Sequence, residues 1–192
     1  MSIKGLLLIT LLTFISATSF AKEQRVLMPV VTDGGDKVSA KKTIRSSGRY
    51  TKISHRGKVV SDSATDWACV QDSKTGLMWE KKRTDGGIQD KSKTYTFHEA
   101  PDYAKGINHN RLCGFSGWRM PMKDELKTLV IKGKKPTINA DYFPNTVSSN
   151  FWSGSSFDDY PFSAWYVSFS DGYDYSYNDS NSYAVRVVRD VQ

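Results

Sequence analysis

Trp165-Tyr-Val-Ser-Phe-Ser-Asp-Gly-Tyr-Asp-Tyr-Ser-Tyr177 decides the fold class of this chain. Trp165, Val167 and Phe169 alternate with Tyr166, Ser168 and Ser170, and Tyr173, Tyr175 and Tyr177 alternate again after Ser170-Asp171-Gly172. A period of two on both sides of a glycine-containing turn is the pattern of an antiparallel hairpin. Its register has two readings. A two-residue Asp-Gly turn pairs Phe169 with Asp174 and places the three later tyrosines opposite the Trp165 face. A three-residue loop with Gly172 in the left-handed position pairs Phe169 with Tyr173 and gathers all six large residues on one face. Each large side chain buried stabilises by roughly 1.5–3 kcal/mol, so the three-residue loop is expected, with the tyrosines in the core. The other register makes them an exposed aromatic ladder.

Moving outward, residues 178–182 form a loop, and Tyr183, Val185 and Val187 alternate as a closing strand. Upstream, Tyr103, Ala104 and Ile107 fall at helical spacing within residues 101–109, with Pro101 suited to the first turn. A second helix is expected over residues 123–132, with Leu126, Leu129 and Val130 as its apolar stripe. Asp124 and Glu125 sit in its first turn and Lys132 and Lys134 near its end, as the helix dipole prefers. Met122, before it, lacks a capping side chain, which costs around 1 kcal/mol and suggests that Met122 packs instead. Two short amphipathic helices lying against antiparallel, hairpin-rich strands make an α+β domain.

The five tryptophans (Trp67, Trp79, Trp118, Trp152 and Trp165) place the core from about residue 49 onward. Residues 22–48 are polar and basic, with Gly34-Gly35, Lys37, Lys41, Lys42 and Arg45, and read as an arm or linker. Residues 1–21 read as a secretory signal. Lys4 is followed by the uncharged apolar run of residues 5–15, and Ser19-Phe-Ala21 puts small residues where a signal peptidase reads. About 11 apolar residues are too few to cross a hydrocarbon layer that needs roughly 20, so no membrane span is expected after cleavage. The destination is periplasmic, secreted or the cell surface.

The two cysteines, Cys69 and Cys113, are expected to pair in that oxidising setting. The bridge closes a loop of about 45 residues, worth roughly 3–4 kcal/mol in the chain-entropy model. Metal binding would want more Cys or His at short spacing, and a redox pair would be C-x-x-C. The net charge is +7, of which Lys4 supplies one. A basic exported protein points to acidic partners such as sulfated or phosphorylated glycans and anionic surfaces, or to solubility alone.

Several blocks resemble a known family. Trp67-Ala-Cys-Val-Gln-Asp-Ser-Lys-Thr-Gly-Leu-Met-Trp-Glu80 is similar to the opening of the Lcl C-terminal domain family, and Leu112-Cys-Gly-Phe-Ser-Gly-Trp-Arg-Met-Pro121 with Glu125-Leu126 to its centre. Tyr142-Phe-Pro-Asn-Thr146, Phe151-Trp-Ser153, residues 164–172 and Val185-Arg-Val-Val-Arg189 resemble its closing blocks. The resemblance runs from about Arg49 to the C-terminus. It implies a fold related to C-type lectins and to formylglycine-generating (sulfatase-modifying) enzymes. It also implies attachment to glycosaminoglycans or host matrix, although most members have no assigned function. The collagen-like repeat of the namesake adhesin is absent from this chain.

Catalysis finds little support. The oxidase chemistry of the distant enzyme cousins needs a close pair of reactive thiols, and here the only two cysteines match framework positions. His55, His98 and His109 lie in no nucleophile, zinc or phosphate motif, and Asp158-Asp159 sits in a Ser/Tyr-rich loop where acids are ordinary. Asp171, Asp174 and Asp179 (with Asn181) are weak calcium candidates, since calcium wants six to eight oxygens and turn formation explains them equally well. No cofactor is expected. The cations read as ligand-binding are Lys81, Lys82 and Arg83 and, in a second run, Lys132, Lys134 and Lys135, able to grip sulfate through charge-assisted hydrogen bonds. Arg119, Arg186 and Arg189 read as partly structural. No nucleic-acid motif is present. The expectation is a non-catalytic module for anionic glycan or extracellular matrix; the alternative is an accessory subunit with a protein partner in the cell envelope or a secretion apparatus.

Overall fold

The computed structural model describes residues 48–157, 160 and 162–191. The expected signal and nearly all of the arm, with Asp158 and Asp159, lie outside the described residues. Among the described residues, no helix is long and apolar enough to cross a membrane.

The domain is α+β, with two antiparallel sheets and two short helices. The first sheet contains β1 (Tyr50–Ile53), β2 (Cys69–Asp72), β3 (Leu77–Glu80) and β7 (Val188–Asp190), in the order β1-β2-β3-β7. The second contains β4 (Asn150–Ser156), β5 (Ser163–Ser168) and β6 (Asp174–Asn178), in chain order. Helix α1 is Ala100–His109 and α2 is Lys123–Lys127.

β2 turns into β3 through Asp72, whose carboxylate accepts the Lys74 N–H at 3.0 Å and is gripped by the Arg49 fork at 2.8 and 2.5 Å. Burial pushes the Asp72 pKa up, but these hydrogen bonds outweigh it and hold the carboxyl below its usual range. The expected disulfide is present: Cys69 of β2 bonds Cys113, in a short 3-10 turn after α1. It anchors one core, in which Tyr103, Ala104 and Ile107 of α1 meet Trp118, Trp152 and Val185. Gly57 approaches that turn closely; its φ is +74°, and a Cβ there would lie 2.6 Å from the Cys113 carbonyl oxygen. The second core gathers Trp79, Leu126, Leu129, Phe143, Phe151, Val167 and Phe169 between the sheets and α2.

Helix α2 is shorter than the expected 123–132. The Thr128 hydroxyl donates to the Glu125 carbonyl at 2.7 Å, and Leu129 and Val130 then bond three residues back in tight turns. The apolar stripe is kept, with Leu126 and Leu129 buried. Met122 does not pack: it is half exposed. The missing cap is replaced from elsewhere, because Glu125 accepts the Met122 N–H at 2.7 Å and Ser155 Oγ accepts the Lys123 N–H at 2.9 Å.

The hairpin register also differs from the expected one. Tyr166 faces Tyr175, Val167 faces Asp174 and Ser168 bonds Tyr173, so the tyrosines share a face with Ala164, Tyr166 and Ser168 rather than with Trp165. The turn is longer because Phe169 leaves the ladder. Its N–H donates to Ser149, its carbonyl accepts from Thr137, and its ring packs edge-on against Phe151 at 5.0 Å. Gly172 is left-handed as expected (φ +83°), lying where a Cβ would strike Val130 at 2.8 Å. On the Trp165 face stands α2, whose Lys123 and Lys127 meet Asp174 at 3.4 and 2.7 Å. That face takes a carboxylate at this position, and the tyrosines go to the other.

Candidate functional site

The register thus builds a surface that composition alone hid. Tyr173, Tyr175 and Tyr177 are 52, 41 and 54 % exposed along one side of β6, which is an edge strand of its sheet. Alternate residues on a strand repeat every ~6.8 Å, so the three rings run along ~14 Å. The middle of the row is held firmly. Tyr175 packs on Tyr166 (5.6 Å between ring centres), and Tyr166 packs on Tyr183 and Trp152 at 4.8 and 6.0 Å. Asp171 accepts both the Tyr173 N–H (2.9 Å) and the Tyr175 hydroxyl (3.2 Å). Hydrogen bonding and the neighbouring carboxylate also push the Tyr175 pKa up, after burial as first cause.

Beside this row runs the second basic segment. Thr137 ties it to the hairpin turn by donating to the Phe169 carbonyl, and Lys132 Nζ stands 4.3 Å over the Tyr173 ring. Lys134 and Lys135 are exposed and make no ion pair among the described residues. Exposed aromatic faces can stack on apolar ring faces, and exposed ammonium groups can neutralise anions.

The first basic run is divided by strand alternation. Lys82 is corrected from ligand-binding to core: it is 1 % exposed, with Nζ 3.3 Å from Glu80 Oε1 and 3.0 Å from the Tyr103 hydroxyl. Tyr103 in turn donates a short hydrogen bond to Glu80, and Glu80 Oε2 accepts the Val187 N–H at 3.1 Å. Burial pushes the Lys82 pKa down and the Tyr103 pKa well up. Arg186 completes this interior. It is fully buried, lowered to about 10 by burial, and bonds Thr146 Oγ1 at 2.7 Å between the Phe143 and Phe151 rings. Its Nε and Nη1 find no hydrogen-bond partner among the described residues. Glu80 thus bonds one buried cation, Lys82, and favours the charged form of the other, Arg186.

Lys81 and Arg83, two residues apart, face a surface pocket of about 180 Å³ with His55, Asp66, Trp67, Thr84, Asp85 and Asn145. Lys81 Nζ lies 4.2 Å from the centre of the Trp67 ring, and Lys52 Nζ lies 3.9 Å from it. Burial lowers the Lys81 pKa. Arg83 Nε bonds Asp85 at 2.5 Å, and His55 bonds Asp66 at 3.1 Å.

The calcium candidates are not brought together. Asp171 holds the hairpin turn, Asp174 pairs with the α2 lysines, and Asp179 bonds His98 at 3.0 Å. Among the described residues no group of three His, Cys, Asp or Glu side chains is placed to hold a metal ion. His109 ends α1. Arg119 forks Glu125 at 2.7 and 2.8 Å, and Arg189 bonds the Ser116 carbonyl at 3.1 Å; both tie elements together.

Sequence reading missed Asp66, Trp67 and Asn145 as neighbours of Lys81, because they come from two other, separated segments. Glu80 and Lys82 did carry a signal, since residues two apart on a strand share a face.

These features define an α+β, disulfide-closed domain with polar and aromatic surface sites. The chain belongs to the Lcl C-terminal domain family, whose profile matches residues 68–189. No curated protein matches the chain.

Proposed function

We propose that this domain is an exported, non-catalytic module that binds anionic glycans of the glycosaminoglycan kind, or matrix bearing them, in adhesion. The scaffold is of the C-type-lectin-like kind, with a disulfide-closed core and loops that carry the binding groups. The carrying observation is the exposed row Tyr173, Tyr175 and Tyr177 with Lys132 over the Tyr173 ring, and the exposed Lys134 and Lys135 following Lys132 in the same loop. Tyrosines present flat apolar faces for sugar rings, and lysines supply cations for sulfate or carboxylate. The leader-like residues 1–21 and the basic net charge agree with export towards anionic surfaces.

Elution from immobilised heparin in a salt gradient tests this. The protein is expected to elute well after a control protein of equal net charge. Elution together with that control would overturn the glycan reading, and the surface would then be one for a protein partner in the cell envelope.

A further inference from the structure

We propose that the pocket between Trp67, Lys81, Arg83 and Asn145 is a separate subsite for one small polyhydroxylated monocarboxylate, an acidic monosaccharide. The inference rests on the glycan-binding reading and adds to it a second, more selective site.

The charges favour a small anion at Lys81. Lys81 and Arg83 line the pocket with Asp66 and Asp85; Asp85 is taken by Arg83 and Asp66 by His55, which leaves the Lys81 ammonium without a paired carboxylate among the described residues. Asp85 is fully engaged: Oδ2 accepts from Arg83 Nε at 2.5 Å and Oδ1 from the Gly87 N–H at 3.0 Å. Arg83 thereby keeps its two terminal nitrogens for a ligand. Lys81 is half-buried and rests on an aromatic ring, with no carboxylate within ion-pair distance among the described residues. A ligand carboxylate at this point replaces a weak cation–π contact by a charge-assisted hydrogen bond. A sulfated polymer is disfavoured here, because Asp66 and Asp85 stand on the rim and repel each further negative charge.

Acceptors complete the set. Asn145 spends its Nδ2 on the Lys82 carbonyl at 2.8 Å, which leaves its Oδ1 to accept from a hydroxyl. Asp66 is 81 % exposed and uses one oxygen on His55, leaving the other. Donors for a carboxylate next to acceptors for hydroxyls describe a sugar acid, and about 180 Å³ is below the ~300 Å³ at which drug-sized pockets begin.

The test is a titration of the purified chain with D-glucuronate, followed by NMR at the Trp67 indole N–H, which donates to the Tyr142 carbonyl at 3.2 Å. Glucose and acetate serve as controls, and Trp67→Phe assigns the signal. A saturable shift with glucuronate alone is expected, weakened about tenfold by Lys81→Gln and by Arg83→Gln while the remaining spectrum is unchanged. No saturable shift at millimolar glucuronate, equal binding of glucose, or unaltered binding by both variants overturns the subsite. Heparin retention of the same samples separates the two readings. Glucuronate binding without enhanced retention keeps the subsite and rejects the tyrosine–lysine surface as a polyanion site. Retention without glucuronate binding does the reverse.

Discussion

The extended segment after β3 sends its cations to opposite sides of a sheet, whereas the loop after α2 turns all of its lysines outward. Lys82 lies in the interior between Glu80 and Tyr103, with Lys81 and Arg83 on the surface around it. Lys132, Lys134 and Lys135 lie outside any strand, with no alternation imposed on them, and among the described residues only Lys132 of the three is engaged, on Tyr173. The same residue type is thus a structural group in one place and an available binding group in the other. Backbone period decides which, and charge counting does not.

The strongest way to break this contrast is to remove the carboxylate that makes Lys82 an interior residue. Glu80→Ala leaves Lys82 and Arg186 buried without the carboxylate that Lys82 bonds, and is expected to cost about 3–5 kcal/mol. Urea denaturation measures it. A loss below about 1 kcal/mol would mean that the interior relaxes to admit water, and that Lys82 belongs with its exposed neighbours after all. Opening the bridge by Cys69→Ser with Cys113→Ser is expected to cost nearly as much, roughly 3–4 kcal/mol, because it frees the loop that carries α1. If the double variant unfolds at the wild-type urea concentration, the α1 core holds without its bridge.

How far such contrasts can be read from sequence differs by element. Both helices, the closing hairpin and the Cys69–Cys113 pair were legible, because period, turn chemistry and a lone cysteine pair are local signals. The hairpin register was not. It depends on Phe169 bonding Ser149 and Thr137, and on Lys123 and Lys127 meeting Asp174, all partners far away in sequence. The exposed tyrosine row is therefore a tertiary result, although the alternation that permits it is visible in residues 173–177. The pocket at Lys81 joins residues from before β2, after β3 and after α2, and no local pattern announces such a meeting.

A smaller effect is expected at Asp90, between the two kinds of charge. Its carboxylate accepts from the Ser92 hydroxyl and N–H at 2.6 and 2.9 Å and from the Gly86 N–H at 2.7 Å, which lowers its pKa to about 2. A depressed folded pKa means stability fully present above the unfolded value of 3.8 and lost as pH falls through about 2. Asp90→Asn is expected to be less stable at neutral pH and to lose less than wild type between those two values. Parallel acid titrations followed by circular dichroism check this, and identical acid slopes would assign the acid sensitivity to other carboxylates such as Asp72.

The smallest effect on stability is expected where the effect on binding is largest. Lys132→Gln, Lys134→Gln and Lys135→Gln together remove three surface charges and one contact to Tyr173. Substitutions at such positions change stability by about 0.5 kcal/mol or less, so the thermal midpoint is expected to stay close to that of wild type. Retention on heparin is expected to fall to that of a charge-matched control, since the cation over Tyr173 and the two exposed lysines that follow it are gone. Tyr175→Ala sharpens the point, because it keeps every charge and removes the ring packed on Tyr166. A further drop in affinity that persists in high salt would show the ring acting through contact with sugar rather than through field, since screening reaches within about 10 Å at 0.1 M salt. If the triple variant binds as before while the Lys81 variant does not, the polyanion site lies around the strand-ordered cations, and the division between the two basic runs must be drawn the other way.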